Sequence, residues 1–122
     1  MVSGYTSIHE DVFREIVMIV LDGVDGIYRY ESKSPLAPLV GDKTVKPAIS
    51  IKTNIDSADS NHNSVSLEIR LAILYGANIP EMAKKMRAQI TEKIEAYTGF
   101  DVTSIDIIIT KLIRFKDQTE GL

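Results

Sequence analysis

Residues 65–110 read VSLEIRLAILYGANIPEMAKKMRAQITEKIEAYTGFDVTSIDIIIT, and the hydrophobic period changes twice within them. Val65, Leu67, Ile69, Leu71, Ile73 and Tyr75 are apolar at every second position, which predicts a strand with one buried face. Met82, Met86, Ile90, Ile94 and Tyr97 then recur every three or four residues, with Lys84, Lys85, Arg87, Glu92, Lys93 and Glu95 on the other side. That spacing predicts an amphipathic helix from Ile79 to Tyr97. Alternation returns with Ile105, Ile107, Ile109 and Ile113 in a last strand from Val102 to Phe115, and Ile108 and Leu112 on its opposite face predict a central or covered position. Strand, helix, strand favours a right-handed crossover between parallel neighbours.

The junctions of this unit carry their own signals. Asn78 and Glu81 stand at the spacing of a helix cap and third helical residue, and Pro80 fills a first-turn site whose N–H is not needed. Gly99 is the expected helix stop. Upstream, Val45, Ile49, Ile51 and Ile55 mark a strand over 45–55, and the polar run DSADSNHNS joins it to the next strand as an antiparallel hairpin. Residues 32–43, with two prolines and a glycine, form the longest irregular segment and display Leu36, Leu39 and Val40 between polar flanks. A short strand is expected over 27–30, after the DGVDG turn.

The first helix lies in SIHEDVFREIVMIVLDG, with Ser7 and Glu10 at capping-box spacing and Gly23 placed to close it in the left-handed conformation. Val12, Ile16, Ile19 and Val20 share a stripe that Phe13 and Val17 widen. From Ile16 to Leu21 every residue is apolar, so the face needs more than one neighbour: the domain's own sheet, which is the expected cover, or a second protein. The order α-β-β-β-α-β defines a two-layer α+β sandwich with a mixed sheet, one domain over 1–115 and a flexible tail over 116–122.

Composition narrows function. The chain has 122 residues, 44% hydrophobic, enough for one core without staples. A net charge of -3 gives no general attraction to nucleic acid or an anionic bilayer. The absence of cysteine removes thiol catalysis, thiolate zinc sites and disulfides, and fits a reducing cytosol. No stretch approaches the roughly 18 apolar residues of a spanning helix, so direct membrane insertion is not expected.

Each chemical motif fails on a specific residue. GANIPEMAKK lacks the glycine spacing and the lysine-serine pair of a phosphate loop, although a helix N-terminus near Lys84, Lys85 and Arg87 leaves an anion or nucleic-acid site as the alternative function. GVDG at 23–26 copies the backbone-clamping loop of KH domains, but Asp22 and Asp25 would face the phosphates and a strand follows instead of a helix. Asp59, Asn61 and Asn63 open like a calcium loop, yet Ser64 replaces its glycine and Arg70 its glutamate. His9 and His62 are the two histidines, too few for a multi-histidine metal centre. With no nucleophile elbow and no paired acids, no catalytic residue, metal ligand or cofactor is expected.

Taken in order, SIHEDVFREIV, GVDGIYR, the 65–110 stretch and the KL after it resemble the alkaline shock protein family of bacterial envelope-stress proteins, over Gly4 to Ile113. The resemblance implies a non-enzymatic, cytoplasmic protein of cell-envelope homeostasis that self-assembles as a homo-oligomer or is held at the inner membrane face by a membrane-anchored protein partner. Where many members carry a mid-helix glutamine among valines, this chain has Met86, Arg87 and Ala88 ahead of Gln89 and Ile90. The expected contact surfaces are Leu36, Leu39 and Val40 of the loop, Lys84, Lys85 and Arg87 of the second helix, and any free strand edge.

Overall fold

In the computed structural model, residues 2–28, 46–55 and 63–114 are described. Six elements follow one another: α1 (Glu10–Asp22), β1 (Ile27–Tyr28), β2 (Ala48–Asn54), β3 (Ser64–Leu74), α2 (Ile79–Thr98) and β4 (Asp101–Ile113). The order α-β-β-β-α-β is the expected one.

β3 is the centre of the sheet. β1 and β2 pair with it antiparallel along one side, β1 opposite Ala72 and Ile73 and β2 opposite 64–70. β4 pairs with its other side in parallel, so the sheet is mixed. The alternation decides which face is covered: Val65, Leu67, Ile69, Leu71 and Ile73 are all buried and point to the layer of α1 and α2. Phe13, Ile16, Val17, Val20 and Leu21 from α1 and Met82, Met86, Ile90 and Ile94 from α2 meet them there. The rings of Phe13 and Phe100 close one end of this core edge-to-face, 5.1 Å apart.

The second half of the chain follows its local signals. Asn78 caps α2, its Oδ1 accepting from the Glu81 N–H at 3.2 Å, with Pro80 in the first turn. Gly99 ends the helix in the left-handed conformation, φ 76°, its N–H bonded to the Glu95 carbonyl.

Elsewhere the structure corrects the reading. α1 begins at Glu10, two residues too late for Ser7 to cap it, and His9 takes the cap instead, Nδ1 accepting from the Asp11 N–H at 3.1 Å. Gly23 closes α1 at φ -95°, which needs no glycine. The left-handed turn residue is Gly26, at φ 96°, where an added Cβ would lie 3.0 Å from the Ala77 side chain. On α1 the buried stripe runs through Phe13 and Val17, leaving Val12 and Ile19 exposed, Ile19 at 60%. Tyr75 and Tyr97 are exposed as well, because the first lies past the end of β3 and the second rotates off the α2 core line.

β4 is the largest departure. Among the described residues it pairs with β3 alone and so lies at an edge, not at the centre. Two register shifts interrupt it, with Thr103 and Thr110 as the extra residues. Each threonine turns its hydroxyl back to β3, Thr103 donating to the Val65 carbonyl at 3.3 Å and Thr110 to the Leu71 carbonyl at 3.2 Å. The second shift reverses the alternation beyond it. Leu112 falls beside Ile73 on the helix side, while Ile113 moves to the other face and joins Tyr28, Ala72 and Leu74.

Candidate functional site

The strand-to-helix corner and the GVDG turn, far apart in sequence, face each other. The Leu74 N–H donates to the Gly26 carbonyl at 2.7 Å and the Ala77 N–H to the Leu74 carbonyl at 3.2 Å, which seats the turn under the start of α2. Between them lies an open cleft of about 310 Å³ lined by Val24, Asp25, Gly26, Asn78, Glu81 and Lys85, with Met82 in its apolar floor. The N-terminus of α2 points its partial positive charge here. Two carboxylates, Asp25 and Glu81, stand in the same cleft, where they offset that charge and oppose a phosphate.

Lys84, Lys85 and Arg87 of α2 do not form one patch. At about 100° per residue, Lys85 and Arg87 lie on either side of Met86, which is fully buried, and Lys84 points opposite to it. Lys85 lines the cleft. Lys84 faces solvent. Arg87 reaches the other way, over the sheet, and its Nε donates to the Ile105 carbonyl of β4 at 3.1 Å. Leu36, Leu39 and Val40 lie outside the described residues.

Arg87 has a counterpart that sequence reasoning missed. On α1, the Arg14 Nε donates to the Ile49 carbonyl of β2 at 3.3 Å. Ile49 sits opposite Ile69 on β3, whose backbone groups turn to β4, so the Ile49 carbonyl faces out from the sheet. Each helix therefore sends one arginine to an outward carbonyl of the edge strand beneath it. Glu95 of α2 does the same for a donor, accepting from the Val102 N–H at 3.2 Å. The sequence signal is faint: both arginines sit one residue beyond a core position, at Phe13 and Met86, where a long side chain can turn around the rim of the layer.

On the face of the sheet away from the helices, Ser50, Lys52, Ser66, Glu68, Ser104 and Asp106 form a shallow polar groove. Arg70 bonds Glu68 there at 3.2 Å. Among the described residues no three His, Cys, Asp or Glu side chains gather as a metal site, and no helix is long and apolar enough to cross a membrane.

The sequence profile of the alkaline shock protein family, described by a cell envelope-related function, matches residues 2–114. The chain belongs to that family. Its function as an alkaline shock family protein is accordingly related to the cell envelope. A search of curated proteins gives no match. Among solved structures it is similar to the crystal structure of Era in complex with MgGDPNP and nucleotides 1506–1542 of 16S ribosomal RNA, at 13% identity and a TM-score of 0.44. The match covers 98% of this chain but 39% of that one, and so weak a superposition supports no inference about this alkaline shock family protein.

Proposed function

We propose that this chain is a non-enzymatic interaction protein that serves cell-envelope homeostasis from the cytoplasmic side, by associating with itself or with a membrane-anchored partner. The observation that carries the reading is the family match, which spans all six elements of the fold. The architecture supports it. What the two helices position over the sheet is a pair of guarded strand edges, and edges are the surfaces through which sheets add further strands. A net charge of -3 gives the chain no attraction of its own to an anionic bilayer, so a partner supplies the anchor. Lys85, which lines the cleft, Lys84, which faces solvent, and residues 36–40 are the contacts proposed for that partner.

Light scattering over a concentration series, together with sedimentation on native membranes, tests this. Oligomers that grow with concentration are expected, as is membrane binding that protease treatment of the membranes abolishes. A strict monomer at every concentration that also ignores untreated membranes would refute the proposal.

A further inference from the structure

We infer that the outer edge of β4 is the self-association surface, and that two copies join there by antiparallel β4–β4 pairing about a two-fold axis through Ile108. The inference rests on the self-association reading above and specifies its geometry.

The hydrogen bonds show which backbone groups of β4 face outward. The Tyr75 N–H takes the Ile113 carbonyl at 2.8 Å and the Asp101 N–H takes the Asn63 carbonyl at 3.0 Å, so these β4 groups turn inward to β3. The Ile105 carbonyl instead meets Arg87 of the helix above. Successive residues of a strand turn their polar groups to opposite sides, and the strand is regular between its bulges at Thr103 and Thr110. Ile105, Ile107 and Ile109 therefore direct N–H and C=O outward. Arg87 engages the first of these, and no strand stands beyond the other two among the described residues.

A two-fold axis at Ile108 matches this set to itself. Ile107 and Ile109 of one copy exchange four backbone bonds with Ile109 and Ile107 of the other, and Arg87 of each copy ends the ladder at Ile105. Ile108 then faces its own symmetry mate as a non-hydrogen-bonded pair, the close type of antiparallel contact. Because Thr110 adds one residue to the count, Asp106 comes opposite the second copy's Lys111, twice in the dimer. Both residues lie on the face away from the helices, Asp106 beside Glu68 and Lys111 beside Ala72. On the helix side the exposed Leu112 comes opposite the second copy's Ile105. The bulge that displaced Leu112 within one chain thus aligns unlike charges and like apolar groups between two.

The outer edge of β2 holds no such pair among the described residues. Lys52 is the one charged residue of β2 and Lys46 precedes it, so no acid of that strand stands ready to meet a second copy's lysine.

Sedimentation equilibrium on the full chain, with circular dichroism to confirm folding, tests the register. Asp106→Lys should weaken dimerisation about tenfold by turning two attractions into two repulsions, and Lys111→Glu should do likewise. The double variant should return to within about threefold of the parent. The chain contains no cysteine, so Ile108→Cys gives an independent reading. The close pair spacing, about 4.5 Å between Cα atoms, fits a disulfide, and mild oxidation should cross-link this variant but not Ile51→Cys of β2. Dimerisation that none of the β4 variants changes, without cross-linking at Ile108, overturns the β4 surface and leaves self-association standing. A parent chain that is monomeric at all concentrations overturns both.

Discussion

Among the described residues two helices are each laid over one side of a shared central strand, and the two halves solve the same problem unequally. α1 lies over the β2 side and α2 over the β4 side, and each lends an arginine to an outward carbonyl of its edge strand. An unpaired edge invites strand addition, and a cation fixed at its carbonyl obstructs it. β2 has seven residues and a single lysine charge. β4 has thirteen residues, two threonine-bridged bulges, and an acid and a base placed around its midpoint. The difference teaches that an arginine guard by itself does not decide whether an edge is closed. In the dimer inferred above, the distribution of charge along the strand decides whether a second copy gains or loses by docking.

The largest test contrasts the cores under the two helices. Ile90 of α2 is fully buried, and Ile90→Ala should cost about 2–5 kcal/mol by urea unfolding, because the cavity adds to the lost transfer energy. Ile19 of α1 belongs to an equally apolar run but is 60% exposed, and Ile19→Ala should stay within about 0.5 kcal/mol of the parent. A loss above 2 kcal/mol at Ile19 would mean that something covers that face in solution.

The helix starts come next. Asn78→Ala should cost about 1 kcal/mol, since it strands the Glu81 N–H at the first turn. His9→Ala should cost less, as histidine is not among the preferred capping residues. Equal losses on chemical denaturation would erase the distinction between the two caps.

What could be read from sequence divides along the same line. Val65 to Ile73 alternate with one consistent solution, and Asn78 and Gly99 act on backbone within one turn of themselves, so β3 and both ends of α2 were legible. α1 was less so, because Ser7 has the capping-box spacing to Glu10 while the helix begins two residues later, where His9, not a preferred capping residue, takes the cap. The bulges of β4 were not legible. A register shift exists only relative to a partner strand, and nothing in DVTSIDIIITKLI distinguishes Thr110 as a bulge from Thr110 as one more exposed residue. Arg87 likewise reads as part of a basic run, because the carbonyl that it meets lies eighteen residues away in the chain. The bulge threonines make a smaller prediction. Thr110→Val removes the hydroxyl from the Leu71 carbonyl and should cost about 0.5–1 kcal/mol, with no equivalent position on β2.

The smallest effect on stability separates the two guards most sharply. Arg14→Ala and Arg87→Ala should each lower stability by only about 0.5 kcal/mol, because both side chains are partly solvated: each loses one bond to a rim carbonyl, and Arg14 also loses its exposed ion pairs with Asp11 and Glu10, which contribute little. Their effects on association should differ in sign as well as size. With Arg87 gone, the Ile105 carbonyl is released, the β4 ladder can lengthen to meet the second copy's Leu112, and dimerisation should tighten. With Arg14 gone, the Ile49 carbonyl is released on a strand that offers a second copy a lysine and no acid, and dimerisation should not change. Sedimentation of the two variants side by side reads this directly. If Arg87→Ala instead weakens association, the arginine is part of the contact and not its limit, and the comparison between the two edges would have to be redrawn around that side chain.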